Sequence, residues 1–308
     1  MADCRYVVDE SAFTFGSTEW NAVSRDLRAL ADQLLALREA EQTVGLVSGW
    51  GAIECLTGVD LATVLSAPVH PDRDLRLRLL GLLDKCQAWD ESPGVVIHPL
   101  VTINGVSTQS FGIAWAHASV ASRRGMAAVT MPHTQCRGSC RVGCCGVVVA
   151  IHFVVSSADH APFHRSLYEL EDVAESDFWS VARLAFPELV FAEALTFRRF
   201  AGPYVHLRSA VVLHLGALND RFLDAFHGER GDSRRVSARL GIDVSREGAT
   251  RASESLMRLR DVQHGNLTYR CEWHTKLEPN RNRIHFHPGD AGTQGRVFIG
   301  VFVDHLPT

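Results

Sequence analysis

The sequence lacks a long apolar run and lacks an apolar start. Residues 146–156 form the longest apolar candidate, but His152 interrupts them and they fall short of the ~18 residues that a membrane-spanning helix needs. The chain begins Met-Ala-Asp-Cys-Arg, which places charge where a secretion signal has its apolar core. Both absences predict a soluble cytoplasmic protein with no membrane partner.

Cysteine is too sparse for a small disulfide-stapled scaffold, since the 308 residues contain 8 cysteines. In a chain with no export signal, we expect these cysteines to be reduced thiols or metal ligands. Hydrophobic residues make up 46% of the chain and charged residues 21%, which is a globular composition and excludes a disordered or fibrous protein.

Lysine is the scarcest cation, because Lys85 and Lys276 stand among 31 Lys and Arg residues. The total charge is −4, but from Glu229 onward 13 Lys and Arg face 10 Asp and Glu, a local net charge of +3. A mildly basic C-terminal part in an acidic chain indicates a polyanionic partner for that part.

Four cysteines and a histidine fall within the 13 residues from His133 to Cys145, between two apolar stretches that read as buried strands. Closely spaced thiolates bind zinc well, and the best ligands here are Cys136, Cys140 and Cys144. The spacing differs from known zinc knuckles and iron–sulfur runs. The alternative is a surface loop with incidental or redox-reactive thiols.

The C-terminal part shows the clearest secondary-structure pattern. A strand from Glu188 and a long helix opened by Pro203 are followed by a short helix and three strands. The predicted bounds are 188–200 for the first strand, 203–226 and 233–240 for the helices, and 267–277, 281–287 and 296–305 for the last strands.

Alternation along these strands places polar side chains on one face. His274 and Lys276 share a face of one strand, and Arg281, Arg283, His285 and His287 share a face of the next. Cations that neutralise phosphate, together with titratable histidines, suit a phosphodiester substrate. Two alternatives are the ordinary wet face of an amphipathic sheet and a metal site built from the histidines.

The order strand, long helix, short helix and three antiparallel strands resembles the RelE/ParE-type toxin superfamily of small ribonucleases. Short motifs carry the same resemblance over about 120 residues. They are Met257-Arg-Leu-Arg-Asp-Val, Tyr269-Arg270, Arg283-Ile-His-Phe286 and the last strand from Val297 to His305.

The resemblance implies that Arg260, Arg270 and Arg283 hold phosphate and that His305 is the acid or base. The alternation of the strands adds Lys276 and His274 to the catalytic candidates. The residues predicted to contact RNA are Arg258, Arg260, Arg281, His285 and His287. The implied mechanism needs no metal: a ribose 2′-hydroxyl attacks the adjacent phosphorus and leaves a 2′,3′-cyclic phosphate.

These observations predict an α+β protein with an N-terminal mixed α/β domain, residues 1–186, and a RelE-like domain, residues 187–308. The predicted function is a metal-independent endoribonuclease, toxin-like or a defence effector, with RNA and an antitoxin or defence-system protein as partners. No cofactor is expected apart from a structural zinc at the cysteines. The alternatives are a non-catalytic nucleic-acid-binding or regulatory subunit and a metal-dependent phosphodiesterase.

Overall fold

The computed structural model describes residues 4–15, 19–66, 72–89 and 97–307. The chain is an α+β protein that divides into two compact units, residues 1–171 and residues 172–308. The division therefore lies ahead of residue 186, where the sequence analysis put it, and residues 178–185 belong to the second unit. Within the described residues, no helix is both long and apolar enough to cross a membrane.

The N-terminal unit alternates short strands with helices. Its strands are β1 (Tyr6–Val8), β2 (Val44–Leu46), β3 (Glu54–Leu56), β4 (Val59–Asp60), β5 (Gln87–Ala88), β6 (Leu100–Ile103), β7 (Val106–Gln109), β8 (Ala127–Val129), β9 (Gly138–Cys144) and β10 (Val147–Val154). Its helices are α1 (Trp20–Glu39), α2 (Leu61–Ser66), α3 (Arg73–Leu83), α4 (Phe111–Ala121) and α5 (His160–Leu170).

Eight of these strands form one sheet in the order β5-β2-β1-β8-β10-β9-β6-β7. The first five strands in this order, β5, β2, β1, β8 and β10, pair in parallel. Strands β9, β6 and β7 continue the sheet through antiparallel pairs. The central strands β1 and β8 are fully buried, as their unbroken apolar sequences require in a parallel sheet covered on both faces.

The cysteine-rich stretch is not a loop, which corrects the sequence analysis. Residues 138–144 form strand β9, which pairs with β10 through the register Cys144↔Val147 to Gly138↔Phe153. Gly146, with a φ of 80°, makes the tight turn between the two strands. The small and thiol side chains of β9 carry little strand signal, so the pairing is dictated by the long apolar strand β10 beside it.

The C-terminal unit contains α6 (Phe178–Ala185), β11 (Leu189–Phe191), α7 (Tyr204–Gly228), α8 (Ser233–Leu240), β12 (Val244–Arg246), α9 (Glu254–Met257), β13 (Asp261–His264), β14 (Leu267–Arg270), β15 (Trp273–Glu278), β16 (Arg281–His287) and β17 (Val297–Val303). Five strands form a sheet in the order β11-β17-β16-β15-β12, and β13 pairs with β14 as a separate hairpin. The single strand predicted over 267–277 is therefore two strands, β14 and β15, in different sheets.

One face of the five-stranded sheet packs against α7. Phe222 of α7 contacts Trp273 and Phe286 at ring-centroid distances of 5.8 and 4.9 Å. His214 of α7 forms a buried hydrogen bond between its Nδ1 and Thr275 Oγ1 at 2.5 Å. The residues of β15 and β16 that alternate with the predicted polar set thus form the core face, as the alternation predicts.

The opposite face of the sheet is covered rather than wet. Residues 247–262 fold back over it, so that Arg260 is fully buried and Val262 packs against Val301 and Val303 of β17. His274, Arg283 and His285 all keep less than a tenth of their surface exposed. The polar face that the sequence analysis read as solvent-facing or RNA-facing is therefore largely an interior surface.

Candidate functional site

The covered face of the C-terminal sheet carries polar side chains in cross-strand rows. His274 of β15 lies opposite Ser245 of β12 on one side and opposite His285 of β16 on the other. In the neighbouring row, Lys276 lies opposite Arg283. Because β12 is the last strand in the sheet order, Ser245 is at the sheet edge and is half-buried, whereas His285 is fully buried.

His274 lies between a hydroxyl and a carboxylate. Its Nε2 is 3.1 Å from Ser245 Oγ, and its Nδ1 is 3.4 Å from Glu247 Oε1. Glu247 follows β12 and extends its pairing through a backbone hydrogen bond, in which Glu247 N–H donates to the Glu272 carbonyl at 2.8 Å. Two residues of separation along an extended strand put Ser245 and Glu247 on the same face, so both reach one imidazole.

Glu247 also forms a buried ion pair with Arg260. The Arg260 Nε lies 2.9 Å from Glu247 Oε1, and the side chains are 0% and 4% exposed. The other guanidinium nitrogens of Arg260 donate to the backbone carbonyls of Leu256 and Pro307, at 2.9 and 3.4 Å. The pair joins Glu247, beside β12, to Arg260 near the other end of the covering residues 247–262, and it keeps Glu247 ionised next to His274.

Burial and charge set the protonation of the site. Burial alone raises the pKa of Glu247, but the contacts from His274 and Arg260 outweigh it and hold the pKa at about 2. Burial lowers the pKa of His285 to about 3, and the nearby guanidinium groups of Arg260 and Arg283 lower it further. At neutral pH the site therefore holds an ionised carboxylate and a neutral His285 imidazole, so His285 is unsuited to proton transfer near pH 7.

Glu247, His274 and His285 also converge in the manner of metal ligands. One ligand atom from each lies within 4.8 Å of the others, and no other group of three or more His, Cys, Asp or Glu residues in the described parts of the chain does so. Neither ring nitrogen of His285 has a hydrogen-bond partner within the described residues. Two histidines and a carboxylate would suit a divalent transition metal, but Arg260 beside Glu247 opposes an added cation.

The other predicted arginines lie away from this row. Arg270 is on the β13–β14 hairpin, where its guanidinium bonds Glu254 at 2.7 Å and Asp261 at 2.8 Å. Arg258 is exposed, 3.8 Å from the same Glu254. Arg281 is exposed at the start of β16 and pairs with Glu278 at 3.0 Å. These three cations are at the surface, and each already has a carboxylate partner.

The two remaining predicted histidines are also outside the row. His287 is half-buried against Tyr269, with ring centroids 5.5 Å apart, and its Nδ1 accepts from Gly289 N–H. His305 is exposed, two residues beyond Val303, the β17 residue that pairs with Arg283. His305 therefore lies toward the Lys276–Arg283 row, whereas His285 pairs with Val301.

The cysteines do not converge with a histidine among the described residues. Cys140 is buried in the core of the N-terminal unit, and Cys136 and Cys144 pack against the same core. The Sγ atoms of Cys144 and Cys145 lie 3.7 Å apart at the β9–β10 turn. His133 instead pairs with Asp26 at 3.0 Å. The arrangement gives no tetrahedral set from Cys136, Cys140 and Cys144.

Sequence reasoning missed Ser245 and Glu247. Both belong to a segment with no apolar alternation, and their role depends on β12 pairing with β15 some 30 residues later. The one available signal was the Ser-x-Glu spacing before the predicted strands, which is too common to single out. Comparisons with known protein families, curated proteins and solved structures find no match to this chain.

Proposed function

We propose that the C-terminal unit is a RelE-like, metal-independent endoribonuclease in which His274 transfers the proton. The observation that carries this proposal is the position of His274, whose Nδ1 faces the ionised Glu247 and whose Nε2 faces the half-buried sheet edge at Ser245. A negative carboxylate close to one ring nitrogen stabilises the imidazolium that forms when the other nitrogen accepts a proton from a nucleophile.

The cations needed for a phosphate lie in the adjacent row. Lys276 is 27% exposed and reaches Asp243 at 3.1 Å, and Arg283 stands opposite it across the strand pair. In the proposed reaction, His274 takes the proton from a ribose 2′-hydroxyl as its oxygen attacks the adjacent phosphorus. Lys276 and Arg283 stabilise the negative charge that builds on the phosphate. The bond between phosphorus and the 5′-oxygen then breaks, and that oxygen takes a proton from His305.

Exposed residues outside the two rows supply the surface for RNA in this proposal. Arg258, Arg281 and His305 are exposed, and His305 remains the second candidate for the acid. Arg260 and His285 are fully buried, so in this proposal they pack beneath the site and do not contact the polyanion. A protein that masks this surface, such as an antitoxin or a defence-system protein, is the proposed macromolecular partner besides RNA.

The test is cleavage of structured and single-stranded RNA by the full chain in excess EDTA. The proposal expects fragments ending in 2′,3′-cyclic phosphate, no cleavage where the ribose carries a 2′-O-methyl group, and losses of about 100-fold or more in His274→Ala. Lys276→Ala tests the cation that stabilises the charge on the phosphate, and His305→Ala tests the second candidate for the acid. Salt-sensitive RNA binding without cleavage would instead indicate a nucleic-acid-binding subunit.

A second candidate function is metal-dependent phosphodiester hydrolysis. The convergence of Glu247, His274 and His285 within 4.8 Å favours it, because the ionised carboxylate of Glu247 and the neutral imidazole of His285 are in the protonation state that metal ligands need. Cleavage that EDTA abolishes and a transition metal restores would establish this function. Cleavage that is the same with and without EDTA would exclude it.

A further inference from the structure

His274 lies close to two groups, the hydroxyl of Ser245 and the carboxylate of Glu247, and the ribonuclease proposal gives the hydroxyl no role. A hydroxyl, an imidazole and a carboxylate follow one another, with Ser245 Oγ at 3.1 Å from Nε2 and Glu247 Oε1 at 3.4 Å from Nδ1. A serine hydroxyl is a weak nucleophile unless a base takes its proton, and the base acts well when a third group orients it. The carboxylate is buried and the hydroxyl is at the open edge of the sheet.

We infer that Ser245, His274 and Glu247 form a nucleophile–base–carboxylate triad that gives the protein a covalent serine-esterase activity. The inference does not depend on RNA cleavage, because the nucleophile belongs to the protein rather than to the substrate. Arg260 has a positioning role, because its Nε lies 2.9 Å from Glu247 Oε1 and keeps the negative carboxylate next to His274.

The step that the geometry allows is acyl transfer. Ser245 Oγ attacks the carbonyl carbon of an ester and forms a new C–O bond, while its proton passes to His274 Nε2. The bond to the leaving alcohol breaks, the alcohol oxygen takes the bonding electron pair, and it receives that proton from His274. Water then attacks the acyl-serine through the same base, which releases the acid and returns a proton to Ser245.

The charge beside Ser245 selects the class of ester. Asp243 and Lys276 form the next row of the same face, with Lys276 Nζ 3.1 Å from Asp243 Oδ2, and Arg283 lies opposite Lys276. This row carries one negative and two positive side chains, a net charge of +1 next to the nucleophile. The site therefore favours a carboxylic ester whose acyl part carries a negative charge.

The experiment treats the full chain with an alkyl fluorophosphonate, which forms a Ser–O–P bond and releases fluoride. Peptide mass spectrometry then locates the adduct. The inference expects one adduct on Ser245, none in Ser245→Ala, and a labelling rate lower by about 100-fold or more in His274→Ala. Ser255→Ala removes an exposed hydroxyl in α9 of the same unit and leaves labelling unchanged. A wild-type chain without an adduct on Ser245, or equal rates in wild type and His274→Ala, would overturn the inference.

Two further readouts keep the test decisive if His274→Ala fails to fold. The wild-type labelling rate must follow the titration of a single base, whereas a serine without a base reacts in proportion to hydroxide. A p-nitrophenyl ester of succinate must react faster than the acetate ester, and Lys276→Ala must reduce that preference; equal rates would overturn the assignment of the substrate class. Labelling without RNA cleavage supports the triad and contradicts the ribonuclease proposal, and cleavage without labelling does the reverse.

Discussion

Replacing Glu247 by Gln removes the carboxylate that lies 2.9 Å from the fully buried Arg260 and neutralises its charge. Losing one partner of a buried ion pair costs about 3–5 kcal/mol, because the other charge stays buried without compensation. The pKa of Glu247 gives a similar figure. A shift from the ordinary 4.5 to about 2 corresponds to roughly 3 kcal/mol of stabilisation. We expect Glu247→Gln to lower the free energy of unfolding of the C-terminal unit by this amount at pH 7.

The same carboxylate predicts the pH dependence. Its pKa in the folded protein is below its unfolded value, so the stabilisation is complete above about pH 4.5 and disappears as the pH falls toward 2. Hydrogen exchange of peptides from β15 and β16, followed against urea, reports the C-terminal unit alone. Glu254→Gln is the matched control, since Glu254 pairs with Arg270 at the exposed surface. A Glu247→Gln loss as small as the Glu254→Gln loss would refute the reasoning.

Three further predictions concern packing and thiols. Thr275→Val leaves the buried His214 without its hydrogen-bond partner, and burial lowers the pKa of His214 to about 4. This substitution should lower the free energy of unfolding by about 1–3 kcal/mol in urea titrations. Gly300→Ala puts a Cβ 2.3 Å from Cys271 Sγ and should lower the melting temperature, whereas an unchanged melting temperature would contradict this packing. Iodoacetamide should alkylate exposed Cys145 in the native chain but Cys271 only after denaturation, because Cys271 is buried and burial raises its pKa to about 12.

Elements whose apolar residues recur with a regular helix or strand period could be predicted from the sequence alone. Helix α8 and strand β16 have the predicted bounds, and the alternation in β15 and β16 separates the two faces correctly. These features depend on side chains within a few residues of one another. The pairing of His274 with His285 follows from the same alternation once a short turn joins the two strands.

Tertiary contacts decided what the sequence could not. An arginine is expected at the surface, but Arg260 is buried and forms an ion pair with Glu247, 13 positions earlier. No local sequence pattern therefore predicted that residues 247–262 cover the polar face of the sheet. The cysteine stretch shows a second limit, because its composition read as a loop, whereas residues 138–144 pair with the neighbouring strand β10 and belong to the sheet.

The most direct test of the central claim, that His274 is the functional base of the C-terminal unit, is the RNA cleavage rate of His274→Ala in excess EDTA. His206→Ala is the matched control, because His206 is exposed near the start of α7 and far along the chain from the row. We expect cyclic-phosphate products from wild type and from His206→Ala, with the rate lower by about 100-fold or more in His274→Ala. Intact RNA in every sample, or equal rates in wild type and His274→Ala, would contradict it.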